Sequence, residues 1–171
     1  MNIREKYNTQ ETLTTFTIYP KKPSVQLSWW FLVGIIVGAF VLFFLDDIID
    51  EVLRYAIYML MGYFTLHSLY DIYLGSKIKY TFDSKNNAVI RIGPFSSGKK
   101  IMKLDEATIF VNSEMGSWYY ALGAKKSQFV KNYRISENFS SGKKSDDRQA
   151  AYDDYVLGKI YKLIENCLFV K

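Results

Sequence analysis

The sequence predicts a membrane helical hairpin joined to an α+β cytoplasmic domain. Two long apolar runs, residues 25–45 and 52–74, lie back to back near the start of the chain. After residue 75 the pattern changes to short alternating segments and ends in one amphipathic helix. We therefore divide the chain into an N-terminal cytoplasmic segment with a possible strand (1–24), a two-helix transmembrane hairpin (25–74) and a cytoplasmic domain (75–171).

The two apolar runs have the length of membrane spans. The first has 21 residues without a charge, and as a helix it would be about 31 Å long, close to the roughly 30 Å of a bilayer core. The second run carries Arg54, His67 and Asp71 near its ends, where polar groups can reach headgroups or water. Aromatic side chains are expected at the two membrane interfaces; these are Trp29, Trp30, Tyr55, Tyr70 and Tyr73.

A buried hairpin in a soluble protein and a cleaved signal peptide are the alternatives. The first needs a polar stripe on each helix, and residues 29–45 offer none. The second needs a small-residue cleavage site, but the acidic residues Asp46 and Asp47 follow the first run. Both alternatives are disfavoured.

Basic residues predict the orientation. Lys21 and Lys22 precede the first run and Lys77 and Lys79 follow the second, whereas the connecting loop is acidic and offers only Arg54. The positive-inside rule then places this multi-pass protein in the cytoplasmic (inner) membrane with both termini cytoplasmic.

The region after residue 75 predicts strands closed by a helix. Alternation and turn residues predict strands at 77–82, 88–92, 101–104, 108–112, 117–122 and 129–135, with a hairpin turn at 84–87. Apolar residues spaced by three and four predict a helix over 146–168, which Ser145 or Asp146 would cap.

This order of elements resembles that of pleckstrin-homology-like (PH-like) domains. The stretches KIKYTFDSKNNAVIRIG, IMKLDEATIFVN and SWYYALG, followed by the terminal helix, carry the resemblance. With the hairpin in front, the layout is similar to small bacterial two-span membrane proteins with a cytoplasmic PH-like domain, the YcxB-like group. The resemblance implies a curved antiparallel sheet closed by the C-terminal helix. It also implies that residues 13–19 form a strand able to pair with that sheet.

An exact repeat, Phe-Ser-Ser-Gly-Lys-Lys, occurs at 95–100 and 139–144. From residue 75 onward the chain has 17 Lys and Arg against 10 Asp and Glu, a formal net charge of +7. We interpret each copy as a flexible turn, and one hypothesis is that its lysines (Lys99, Lys100, Lys143 and Lys144) contact anionic lipid headgroups or an acidic partner. The favoured alternative is a pair of solvated loop tips, because runs of charge usually are.

Glycines in the spans suggest close helix packing. Gly34 and Gly38 form a G-x-x-x-G pattern that could pack on the second run near Gly62 or on another copy in a homodimer. His67 and Asp71, four residues apart, are interpreted as an interfacial pair that no third ionisable group joins.

The sequence predicts neither an enzyme nor a cofactor. One histidine and one cysteine, both in apolar helices, supply no nucleophile set and no metal-ligand spacing. Residues 93–100 fit G-x-x-x-x-G-K, but Lys100 stands where a nucleotide loop needs Ser or Thr, and nucleic-acid binding has only basicity in its favour. Two hypotheses remain: a membrane-anchored binding module, and a small subunit that docks into a larger membrane complex through its helices.

Overall fold

The computed structural model describes residues 3–45, 49–124 and 132–169. The helices are α1 (Ile3–Lys6), α2 (Ser24–Phe44), α3 (Glu51–Tyr73), α4 (Lys143–Tyr152) and α5 (Gly158–Phe169). The strands are β1 (Gln10–Glu11), β2 (Thr15–Ile18), β3 (Lys79–Asp83), β4 (Ala88–Gly93), β5 (Ser96–Met102), β6 (Ala107–Glu114), β7 (Ser117–Ala124), β8 (Tyr133–Arg134) and β9 (Phe139–Ser140).

The described strands form two antiparallel sheets. The first has the order β1-β2-β3-β4-β5; in the second, β7 pairs with β6 on one side and with β8 and β9. The predicted turn between β3 and β4 is present, and Asn87 adopts a φ of 44° there, a conformation that asparagine tolerates. The prediction of an α+β fold is confirmed.

The N-terminal segment belongs to this fold. Strand β2 pairs with β3, with Phe16 opposite Phe82 and Ile18 opposite Tyr80, as expected for residues 13–19. Tyr7 is also fully buried in the same core. Residues on both flanks of the helical hairpin therefore build one hydrophobic core.

The C-terminal helix lies against both sheets in that core. Tyr152, Val156 and Ile160 are fully buried together with Phe82 from the first sheet and Leu122 from the second. The helix begins at Lys143, three residues earlier than predicted, and Gly142 precedes it with a φ of 127°. The predicted cap is wrong because Ser145 lies inside the helix, where its hydroxyl accepts a hydrogen bond from the Ser140 amide (2.9 Å). A π-helical turn, Asp153–Leu157, joins α4 to α5.

The repeat does not form two flexible turns. Residues 96–100 of its first copy lie in the edge strand β5, and its second copy contains β9 and the first two residues of α4. Of the predicted strand at 101–104, residues 101–102 form the end of β5, and residues 103–104 lie outside any strand. The first part of the predicted strand at 129–135, and the acidic residues Asp46 and Asp47, lie outside the described residues.

Helices α2 and α3 form a hairpin whose apolar side chains are largely exposed. Phe43 is 74% and Met59 78% exposed, and large apolar residues are exposed along both helices. Among the described residues, α2 is the one helix whose length and composition suit a membrane span, a test that a signal sequence near the N-terminus also passes. The second predicted span is not supported by this criterion, because Arg54, His67 and several tyrosines lower the hydropathy of α3.

Candidate functional site at the base of the helical hairpin

Two polar cavities lie between the start of α2 and the α+β domain. The first, which we call the basal cleft, has a volume of about 550 Å³ and is lined by Lys6, Pro23, Ser24, Gln26, Leu27, Trp30, Arg134, Glu137, Asn138 and Arg148. The second, the lateral cleft, measures about 570 Å³ and shares Ser24 and Arg134 with the first. The two cavities therefore adjoin around Arg134.

Glu137 organises the basic side chains of the basal cleft. Its carboxylate forms an ion pair with Lys6 and accepts a bond from Arg148 Nη1 (3.4 Å), while its backbone amide donates to the Tyr7 hydroxyl (3.4 Å). Arg148 Nε also donates to the Lys144 carbonyl (3.3 Å). One carboxylate thus holds two cations, which leaves net positive charge in the cleft.

Arg134 is the third cation of the basal cleft, and its guanidinium is held in place. Nε donates to the Ser136 carbonyl (2.9 Å) and Nη2 to Asn138 Oδ1 (2.8 Å). The guanidinium carbon lies 4.6 Å from the centre of the Tyr119 ring. Within the described part of the chain, Arg134 has no carboxylate partner. An oriented guanidinium of this kind suits phosphate or carboxylate recognition.

The lateral cleft contains an ion pair that joins the two ends of the hairpin. Lys21 Nζ lies 2.9 Å from Asp71 Oδ1, and His67 Nε2 lies 3.8 Å from Asp71 Oδ2. The predicted His67–Asp71 pair is present, but the expectation that no third ionisable group joins it is wrong. Lys21 precedes Asp71 by fifty residues and lies outside α3, so the spacing of residues within one helix does not reveal it.

A second basic group borders the lateral cleft on the first sheet. Arg91 lines the cleft and lies opposite Tyr80 on β3 and Lys99 on β5, so these three side chains share one face of the sheet. Burial raises the pKa of the Tyr80 hydroxyl, and the nearby Arg91 opposes that rise. Like charges directly opposite each other destabilise a sheet. The lateral cleft also contains the carboxylates of Asp71 and Glu114, so it is of mixed charge.

An apolar groove of about 700 Å³ follows the helical hairpin. We call it the helix groove; its lining residues are Leu27, Trp30, Phe31, Gly34, Ile35, Gly38, Leu42, Ile57, Leu60, Met61 and Phe64. A Cβ atom at Gly34 or Gly62 would meet nothing within 4 Å, and one at Gly38 would meet only Met61 Cε at 3.9 Å. Within this structure Gly38 is thus the glycine nearest to the opposite helix; packing of Gly34 or Gly62 on another copy stays a prediction.

The four repeat lysines are not gathered into one site. Lys99 and Lys100 project to opposite faces of β5, because they are paired with Arg91 and Ile90 respectively. Lys143 and Lys144 border a separate shallow depression of about 380 Å³ at the start of α4. Arg148 lines both that depression and the basal cleft.

The predicted interface aromatics are exposed on the hairpin. Trp29 and Trp30 lie in the first turns of α2, Tyr55 lies in the first turn of α3, and Tyr70 and Tyr73 lie in its last turn. Lys21 Nζ lies 5.6 Å from the Tyr70 ring centre. Of the aromatics predicted for the interface, Trp30 lines both the helix groove and the basal cleft.

A separate polar network lies inside the domain at the π-helical turn. Trp118 Nε1 donates to Gln149 Oε1 (2.9 Å), Gln149 Nε2 donates to the Tyr120 hydroxyl (2.8 Å), and that hydroxyl donates to Asp153 Oδ2 (2.9 Å). Burial, followed by the bond to Asp153, raises the pKa of Tyr120 to about 12. Burial also raises the pKa of Asp153. We assign this network to the packing of α4 on β7.

Sequence reasoning missed the residues of the basal cleft. Lys6 and Glu137 are 131 residues apart, and Arg134, Glu137 and Arg148 follow no motif. Comparisons with family models, with curated proteins and with solved structures found no significant match for this chain.

Proposed function

We propose that this chain is a membrane-anchored binding module without catalytic activity. In this proposal α2 and α3 cross the cytoplasmic membrane as a two-span hairpin. A basic PH-like domain then lies against the inner leaflet and contacts anionic lipid headgroups or a cytoplasmic partner.

The pairing of β2 with β3 carries the proposal. Strand β2 ends six residues before α2, and β3 begins six residues after α3, yet the two strands are neighbours in one sheet. Both ends of the hairpin therefore lie on one side of any membrane that α2 crosses. A chain that crosses once along α2 must return, and α3 is the segment that can bring it back.

The position of α3 supports the same conclusion. Ile57, Leu60 and Met61 of α3 face Gly38 and Leu42 of α2 across the helix groove, so α3 lies alongside α2. Exposed apolar surface of this extent marks a membrane or protein contact. Lipid that surrounds α2 would therefore surround α3 as well.

Charge supports the orientation and the ligand class. Lys21, Lys22, Lys77 and Lys79 flank the hairpin on the domain side, as the positive-inside rule requires of a cytoplasmic side. A basic domain held there is attracted to an anionic leaflet by about 1 kcal/mol for each nearby Lys or Arg.

Cysteine labelling of intact cells tests the topology. In a Cys167→Ala background, one variant carries Asp50→Cys in the connector and a matched variant carries Lys85→Cys in the β3–β4 turn. A membrane-impermeant maleimide should label the connector cysteine from outside. It should label the turn cysteine only after the cells are lysed.

Equal labelling of both positions from outside, or labelling of Lys85→Cys alone, would refute the two-span arrangement. Recovery of the full-length chain in the supernatant after ultracentrifugation without detergent would also refute it. Neither result depends on which lipid or partner the domain contacts.

The open glycines favour a second candidate, a subunit that docks into a larger membrane complex through its spans. A partner helix could enter the helix groove at Gly34, where a side chain would meet no neighbour. Gly34→Leu would then abolish co-purification of a partner protein in mild detergent. A binding module that acts through its domain would keep its partner in the same variant.

A further inference from the structure

We infer that the helix groove and the basal cleft form one binding site for a single anionic phospholipid, with an acyl chain in the groove and the phosphate in the cleft. This inference rests on the proposed membrane hairpin. It deepens that proposal by naming a site and a ligand class.

The two cavities share a border, and the character of the lining changes there. Leu27 and Trp30 line both. The groove beyond them is lined by apolar side chains and glycines alone, whereas the cleft below them adds Lys6, Arg134 and Arg148. A ligand that fills both cavities must have a long apolar part joined to a compact polar part, as a phospholipid has.

The charge of the cleft selects an anion. Three cations face one carboxylate there, and Glu137 is already shared between Lys6 and Arg148. Arg134 is oriented by hydrogen bonds from Nε and Nη2 and makes none from Nη1 to a described residue. A phosphate can therefore accept hydrogen bonds from Nη1 of Arg134 and from the guanidinium of Arg148. A zwitterionic lipid would bring its own cation into a cleft that is already basic.

A second copy of the chain would satisfy the cavities less well. A helix packed at Gly34 and Gly38 would fill the apolar groove. The segment that precedes the apolar part of α2 carries Lys21 and Lys22, so a neighbouring copy in the same orientation would bring more positive charge to the basal cleft. The charge of the cleft therefore favours lipid as the occupant.

Trp30 provides the measurement because it lies where the two cavities meet. Trp29→Phe and Trp118→Phe leave it as the single tryptophan. The full chain is reconstituted into vesicles in which brominated phosphatidylglycerol is mixed with phosphatidylcholine, and the reverse mixture is prepared with the bromine on phosphatidylcholine. Brominated chains quench tryptophan on contact, so the two series give the relative affinity of the two lipids near Trp30.

We expect phosphatidylglycerol to be preferred several-fold. Arg134→Gln with Arg148→Gln should abolish that preference, because each nearby cation contributes at most about 1 kcal/mol, or roughly fivefold. The matched control is Lys85→Gln with Lys103→Gln, which removes two exposed cations from the end of the sheet far from the hairpin; it should keep the preference. Gly34→Leu should weaken quenching by both lipids, because the new side chain enters open space in the groove.

Equal quenching by the two lipids in the wild-type sequence would overturn the inference, and so would an equal loss of preference in the control variant. Occupation of the groove by a second copy of the chain would also overturn the inference. In that case lipid would quench Trp30 poorly at high protein density, and the quenching would increase when the protein is diluted in lipid. If the cysteine labels report two spans and the preference is absent, the lipid site fails while the proposed membrane anchor stands.

Discussion

At Gly75 the chain leaves little room for a methyl group. A Cβ atom there would lie 3.0 Å from Asp71 Oδ1 and 3.1 Å from Lys21 Cδ, so the ion pair between those two residues would have to move. Gly75→Ala should cost about 1 kcal/mol, the upper range for a partly exposed pair, and lower the thermal midpoint by roughly 2–4 °C.

Thermal unfolding in detergent micelles measures this loss. Gly93→Ala is the control, since a Cβ atom there would meet nothing within 4 Å and the residue has no positive φ. Equal unfolding midpoints for the two variants would show that a methyl group at Gly75 does not disturb the Lys21–Asp71 ion pair.

Asp153 should make stability depend on pH. Burial raises its pKa above the ordinary 3.8, and its Oδ1 atom is buried without a hydrogen-bond partner among the described residues. The native state therefore holds the proton more tightly than the unfolded chain, so stability falls as pH rises from 3.8 through the folded value. Asp153→Asn removes that fall. The variant should be more stable than the wild type at pH 7, and the gain should disappear near pH 3.8.

The adjacent Asp154→Asn provides the comparison for this titration, because Asp154 is exposed. The midpoints of thermal unfolding, measured from pH 4 to pH 7, should change in parallel for Asp154→Asn and the wild type. A wild-type-like slope for Asp153→Asn would contradict the assignment of the raised pKa to this carboxyl.

Among the elements, β2 contributes more to stability than its four residues suggest. Phe16 is 1% exposed and its ring centre lies 6.5 Å from that of Phe82 and 6.4 Å from that of Tyr155. Phe16→Ala should cost about 3–5 kcal/mol, as for other buried aromatics. Phe95→Ala, at a position that is 87% exposed, should change the free energy of unfolding by less than about 0.5 kcal/mol.

Elements with one buried face were predictable, and those without one were not. Tyr80 and Phe82 alternate with polar residues in β3, and both are buried as that pattern predicts. The first five residues of strand β5 were missed because they are all exposed, so no alternation marks them. The basal cleft could not be predicted either, since Lys6 and Glu137 meet only after the N-terminal segment joins the domain.

For the whole molecule, the domain should fold without the hairpin but not without β2. A chain in which about six Gly and Ser residues replace residues 23–74 can bridge the gap, because Lys21 and Gly75 are neighbours and a flexible linker of that length spans roughly 12–15 Å. It should be soluble and unfold cooperatively on heating. Residues 75–171 alone should not, because they lack Tyr7, Phe16 and Ile18 of the core.

Circular dichroism during heating and sedimentation without detergent distinguish these outcomes. Cooperative unfolding of residues 75–171 alone would show that the N-terminal segment is dispensable. Aggregation of the linked chain would show that the domain needs the hairpin for more than connection.

The register between β2 and β3 also imposes an order on biosynthesis. Ile18 lies opposite Tyr80, so the first strand leaves the ribosome well before its partner has been translated; at 5–20 residues per second the delay is roughly 3–12 s. Throughout that interval Phe16 and Ile18 have no sheet to join. The nascent N-terminus therefore stays without its sheet partner until translation has passed both long helices, and β2 pairs with β3 only after the hairpin has emerged.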